Sequence, residues 1–232
     1  MEERVRAIHE RRRRQSCPSQ NDSENNIRYV LFIVDASGSV GRDFERMKMV
    51  LANISEKLCG NVRVAMITYT SVINLEFCFK CYNDRSDIAD AILRARTVGG
   101  WTHTTDATKC ACETMLTKEC GLPLGIRTKN IDVVYLTDGR HNGPCRSHLG
   151  NELLCLLQRR NINTTAIAVG GAAVESVQHL ESPDNGGHIF DVDDIDDLVL
   201  VFEYMLDILN IRYSDGTPKY TCFSHDRACP NK

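Results

Sequence analysis

The chain has 232 residues, enough for one large domain with tails. Hydrophobic residues make up 42% and charged residues 25%, ordinary for a globular protein, and the net charge of −3 excludes a chain-wide basic attraction to nucleic acid or membrane. No stretch approaches the roughly 20 apolar residues of a membrane span. The 11 cysteines are many for a reducing compartment, yet too few for a fold built on disulfides alone. Sequons at Asn21, Asn53 and Asn163 add slightly to the case for an oxidising, extracellular compartment.

Residues 1–26 read as a basic, polar N-terminal tail. Met1 to Arg14 is charged and ends in Arg11 to Arg14, a solvated terminus by default, with a nucleic-acid patch, a localisation signal or a processing site as alternatives. Met1 to Gln15 lacks the apolar core of a secretory signal, which leaves a fragment of a longer secreted chain, a missing true start or an intracellular chain, the first two being the expectation. Gln15 to Asn26 reads as linker.

Tyr29 to Val34 is an unbroken apolar run, the pattern of a strand buried on both faces of a parallel sheet. Asp43 to Leu58 carries apolar residues at helical spacing, and Val62 to Thr70 reads as a second buried strand. Val72 to Phe79 alternates and follows closely, which predicts a hairpin and an antiparallel edge strand. Ser86 to Arg96 and Asp106 to Thr117 read as helices, and Val133 to Thr137 as a buried strand. Then come a helix over Leu149 to Arg160, a strand over Thr164 to Val169 and a short helix over Ala173 to Leu180. A short strand over His188 to Asp191 precedes a last amphipathic helix over Ile195 to Leu209, with Asp193, Asp194, Asp196 and Asp197 at its start. The alternation predicts an α/β fold: a doubly wound, Rossmann-like, mostly parallel sheet with one antiparallel edge strand and helices on both faces. Residues 212–232 read as a cysteine-containing C-terminal tail.

Where the first strand ends, Asp35, Ser37 and Ser39 follow at alternate positions. A parallel strand delivers such residues to the carboxyl edge of its sheet, where open α/β folds bind ligands. One carboxylate and two hydroxyls are oxygen donors suited to a hard cation. Gly99-Gly100-Trp101-Thr102-His103-Thr104 precedes a helix, and Val133 to Thr137 leads into Asp138. Together these stretches resemble the metal-ion-dependent adhesion site of von Willebrand factor A domains, which include the inserted domains of integrins. The resemblance runs from about Ile27 to about Asn210, and the domain is expected over residues 27–211. It implies that Asp35, Ser37, Ser39, Thr102 and Asp138 hold Mg²⁺, with Mn²⁺ or Ca²⁺ as substitutes.

The resemblance implies a non-enzymatic adhesion or matrix-interaction domain, engaging the Glu or Asp of an extracellular partner through the ion. Trp101, His103, Arg140 and His141 are expected to ring the metal and to contact the partner. One competing reading is a Mg²⁺-dependent hydrolase with His103 or His141 as base. The other is a structural interaction module with the ion idle, or only a β-to-α turn in which Ser39 or Asp43 caps the first helix. Asp106 stands where many family members have glycine; strengthening the cation site, repelling an acidic ligand and capping its helix are all open to it. Cys78-Phe-Lys-Cys81 reads as a structural disulfide motif rather than a zinc or redox site. Cys110 and Cys112, one residue apart on a helix, point apart and are expected to pair elsewhere or stay buried.

Overall fold

The apolar run becomes β1 (Arg28–Asp35), near the middle of the sheet in a computed structural model of the chain. The structure describes residues 27–58, 61–96, 99–138, 162–170, 188–192 and 197–208. β1 is followed by α1 (Asp43–Lys57), β2 (Val62–Tyr69), β3 (Ile73–Phe77), α2 (Arg85–Arg94) and α3 (Thr104–Cys110). β4 (Ile131–Thr137), β5 (Asn163–Val169), β6 (Ile189–Val192) and α4 (Leu198–Ile208) complete the described elements. The sheet order is β3-β2-β1-β4-β5-β6, with every pairing parallel except β2 with β3.

Successive strand residues point to opposite faces, which gives the sheet two cores. Val30, Phe32 and Val34 of β1 pack with Phe44, Met47 and Leu51 of α1, Ile88 and Ile92 of α2, and Leu198, Phe202 and Met205 of α4. Tyr29, Leu31 and Ile33 face the other way, into a core with Ala107 of α3, Ala111, Cys112 and Met115. A strand with no polar position inside it has no other stable placement, because either face exposed would leave several large side chains in water. The expected doubly wound sheet with an antiparallel edge strand is therefore what forms.

Several boundaries shift for local reasons. The helix expected from Asp106 starts at Thr104, and past Cys110 the chain widens into a π turn, Ala111–Met115, closed by Leu116 N–H donating to the Ala111 carbonyl at 2.9 Å. Asp106 is thus a first-turn residue rather than a cap. Neither Ser39 nor Asp43 caps α1: its N-cap is Arg42, which has helical backbone angles and no side-chain cap bond. The expected helices over Leu149 to Arg160 and Ala173 to Leu180, both tails, and Asp193, Asp194 and Asp196 lie outside the described residues.

Buried polar groups are tied into the frame. Asp132 on β4 takes Arg28 Nη2 at 2.5 Å and Asn163 Nδ2 at 3.2 Å, so the amide of that sequon is engaged within the sheet. Burial pushes the Asp132 carboxyl up, and the Arg28 charge works against that shift. Buried Lys48 of α1 donates to the carbonyls of Leu93 and Ala95 at 3.2 and 2.7 Å, satisfying the end of α2. Cys78 pairs not with Cys81 but with Cys120, and Cys81 is itself disulfide-bonded, which leaves no C-x-x-C thiol pair for zinc or redox work. Cys110 is half-buried and Cys112 buried.

Asp84 starts α2 as its N-cap, accepting from the Ser86 N–H at 2.8 Å and the Ser86 hydroxyl at 2.6 Å. Those bonds hold its carboxyl below the usual carboxylate range. The stabilisation is present above pH 4 and is lost as pH falls through the lowered folded value. Asp84→Ala is expected to cost about 1 kcal/mol at pH 7 and less at pH 3, read by urea unfolding at both pH values.

Candidate metal centre

Parity along the strands assembles the floor of the site. Asp35 is in register with Tyr69 at the carboxyl ends of β1 and β2. Asp35 shares the face of Tyr29, Leu31 and Ile33, Tyr69 that of Ala65 and Ile67, and Thr137 that of Val133 and Tyr135. All three side chains therefore turn toward the α3 side. Thr137 Oγ1 donates to Asp35 Oδ2 at 2.8 Å, and the Ser37 N–H donates to Asp35 Oδ1 at 2.9 Å. The carboxylate is thus held by both oxygens before any ligand arrives.

The loop after β1 carries the hydroxyls. Ser37 is buried and its Oγ lies 3.0 Å from that of Ser39, which is exposed. No helix-cap duty uses either hydroxyl. Asp138 follows β4 directly, beside β1, and is partly exposed. Its negative charge reaches Asp35.

Thr102 arrives from the other side, and backbone bonds bring it in. The Gly38 N–H donates to the Gly100 carbonyl at 3.3 Å, joining the β1 loop to the Thr102 loop. The His103 N–H donates to the Thr70 carbonyl at 3.1 Å, and the Trp101 N–H to Ser71 Oγ at 2.9 Å. The turn between β2 and β3 therefore grips the loop on both sides of Thr102. Gly100 lies at φ +113°, and a Cβ there would come within 3.0 Å of Ser71 Oγ. Gly100→Ala is expected to lower stability by about 1–3 kcal/mol, read as a drop in melting temperature.

Two observations bear on whether this set fits a cation. Thr102 is 1% exposed, yet its hydroxyl oxygen has no hydrogen-bond partner among the described residues. A buried hydroxyl left so costs about 1–3 kcal/mol unless something fills the gap. Second, burial raises the Asp35 pKa to about 6 against the hydrogen bonds from Ser37 and Thr137, and the Asp138 charge raises it further. Burial and the second carboxylate disfavour ionisation of Asp35, and a bound cation would reverse that preference. The donor set is all oxygen, and among the described residues no group of three or more His, Cys, Asp or Glu is placed to hold a metal ion, so a cation here would depend on the hydroxyls. The residues fit a hard divalent ion.

Of the expected rim, Trp101 is 63% exposed beside the site. His103 Nδ1 lies 3.2 Å from Asp106 Oδ2, so Asp106, in the first turn of α3, pairs with the N-cap residue of its own helix. Arg140 and His141 lie outside the described residues. Sequence reading passed over Thr137, Tyr69, Ser71 and Thr70. Thr137 and Tyr69 were accessible through strand parity with Asp35; the turn residues carried no signal.

The von Willebrand factor type A domain family matches residues 30–203. Matrilin-3 from Gallus gallus is 27% identical over 169 residues, 71% of this chain and 36% of matrilin-3. Vitrin from Mus musculus is 29% identical over 171 residues, 72% of this chain and 25% of vitrin. The chain thus spans between 25% and 36% of the length of these two relatives. Among solved structures, proximal thread matrix protein 1 from the mussel byssus, described with a zinc occupied MIDAS motif, aligns with a TM-score of 0.65. That alignment covers 78% of this chain and 48% of the mussel chain at 15% identity, a likeness of fold alone. With the match running from the first strand into the last helix, the chain belongs to the von Willebrand factor type A domain family.

Proposed function

We propose that this domain is a non-enzymatic, divalent-cation-dependent protein-binding module of the extracellular matrix. Asp35, Ser37, Ser39, Thr102 and Asp138 are the residues that would hold the ion. The observation that carries the reading is the buried Thr102 hydroxyl, without a hydrogen-bond partner among the described residues, on a loop bonded to the one that follows Asp35. When bound, Mg²⁺ supplies an electrophilic position that accepts a Glu or Asp carboxylate of a partner protein. Ser37 and Thr137 hold the Asp35 carboxylate in one orientation, while neutral hydroxyls leave the ion's charge largely undiminished. All-oxygen donors favour Mg²⁺, with Mn²⁺ or Ca²⁺ as substitutes, over the zinc described for the mussel protein.

Trp101 and Val72, 63% and 56% exposed, stand on the Thr102 side and are the apolar contacts we assign to partner choice. Matrilin-3 and vitrin as relatives, and the disulfides, support an extracellular setting. No described helix is long and apolar enough to cross a membrane.

The test is binding to immobilised matrix proteins in Mg²⁺, then EDTA, then restored Mg²⁺. Binding lost and recovered supports the reading. Binding indifferent to EDTA transfers the role to the protein's flat faces. The His103–Asp106 pair is the one observation that favours a hydrolase, and Mg²⁺-dependent turnover of a phosphoester would overturn the non-enzymatic reading.

A further inference from the structure

Behind the proposed cation site lies a run of buried hydroxyls that joins its two halves. Thr104 Oγ1 donates to the Tyr69 hydroxyl at 3.3 Å. Tyr69 in turn bonds Thr137, and Thr137 donates to Asp35 Oδ2 at 2.8 Å. Tyr69 is thus linked to both Thr104 and Thr137, and the run of hydroxyls ends on the Asp35 carboxylate. Tyr69 is fully buried, Thr137 is 2% exposed and Thr104 5%, so water does not compete for these bonds.

The two ends of the run lie on different parts of the site. Asp35 closes β1, whereas Thr104 opens α3 only two residues after Thr102. No bond from the Thr102 hydroxyl itself fixes its place. We propose that Tyr69 is a positioning residue: its hydroxyl sets the distance between Asp35 and the Thr102 turn, so that both present oxygen to one ion. The proposal rests on the cation reading above. Burial and the Asp35 charge keep the phenol well above its ordinary pKa, so it stays protonated as a donor. A phenylalanine would fill the same volume in this core and remove only that link.

Tyr69→Phe, Thr104→Val, Thr104→Ser, Thr102→Ala and the double variant Tyr69→Phe/Thr104→Val are titrated with MgCl₂ by calorimetry. Tyr69→Phe and Thr104→Val are each expected to weaken Mg²⁺ binding about 10-fold, the lower end for partners that orient a ligand. Because they are links in one run, the double variant loses no more than either single change. Thr104→Ser keeps the hydroxyl and stays within about twofold of wild type. In EDTA, hydrogen exchange at the His103 amide, bonded to the Thr70 carbonyl, speeds up in Tyr69→Phe while β1 amides are unchanged. Exchange accelerated across β1 as well means a general loss of packing and overturns the positioning role. If Tyr69→Phe fails to fold, Thr104→Val and its serine rescue carry the same test. Wild-type affinity in both Tyr69→Phe and Thr104→Val, with Thr102→Ala impaired, overturns this inference and leaves the cation reading standing. Thr102→Ala binding Mg²⁺ like wild type, or a wild type that binds none, overturns both.

Discussion

Asp138→Ala is expected to weaken Mg²⁺ binding about 100-fold, and partner binding with it, while leaving the metal-free domain as stable as wild type, or more so. Asp138 sits past the end of β4, partly in solvent, so its removal opens no cavity in the core. Its charge disfavours the ionised form of buried Asp35, so the metal-free fold loses a repulsion when it goes. With the ion present the sign reverses, because that same charge then sits beside a cation. Loss of a carboxylate that would hold the ion, directly or through water, costs at least what loss of an orienting partner does, roughly 10–100-fold, and we expect the upper end. At a Mg²⁺ concentration about 100 times the dissociation constant, binding stabilises by about 2.7 kcal/mol. After a 100-fold loss the same concentration gives about 0.4 kcal/mol. Melting curves in EDTA and in Mg²⁺ read both halves at once. A wild-type-sized Mg²⁺ shift in the variant would remove Asp138 from the site, and a collapse in EDTA would make it a structural residue.

Removing the Cys78–Cys120 disulfide is expected to be the most damaging change to stability. The bond closes a sequence separation of 42 residues, from the end of the edge strand to the segment after the π turn. Closing a loop of that length constrains the unfolded chain by about 4 kcal/mol in the entropy model, and measured values cluster at about 2–4 kcal/mol. Cys120 is 1% exposed and Cys78 half-buried, so the double serine variant also buries a hydroxyl in the α3-side core. A domain of this size loses about 2–4 °C per kcal/mol, so Cys78→Ser/Cys120→Ser should melt about 10 °C lower. Mg²⁺ affinity should stay within about threefold. β3 runs antiparallel to β2, and its Phe77 pairs with Met66 in the middle of β2, so the chain at Cys78 is heading toward the amino edge of the sheet, away from the proposed site. A loss of Mg²⁺ affinity as large as that of Asp138→Ala would show that the carboxyl edge depends on this clamp.

Much of the architecture is legible without coordinates because its signals are local. Tyr29 to Val34 has no polar position, and a strand of that kind is stable only with both faces covered. The hairpin after Tyr69 followed from alternation and a short connection, and β3 does pair antiparallel at the edge. Helix starts were less legible. Asp106 has the composition of a cap, but α3 begins two residues earlier, and Asp106 turns to His103 Nδ1 instead. Cys78 and Cys81 suggested a local pair by spacing alone, whereas Cys78 bonds Cys120, which only the folded path brings to a Cα–Cα distance of 4.9 Å.

What the amino-acid order by itself determined is the sheet, its single antiparallel edge, and the candidates Asp35, Ser37, Ser39, Thr102 and Asp138. Those depend on side-chain period and on which strands end in oxygen donors, both written along the chain. Only the tertiary structure decided that Thr102 carries a buried hydroxyl with no partner among the described residues, and that the β2–β3 turn grips its loop through Thr70 and Ser71. It also decided that Thr104, Tyr69 and Thr137 form a run ending on Asp35. The physical reason is distance along the chain. Thr137 and Asp35 are 102 residues apart and Thr104 and Tyr69 are 35 apart, so no local pattern encodes their bonds. They exist because a parallel sheet brings strand ends together and strand parity turns these side chains to the same face.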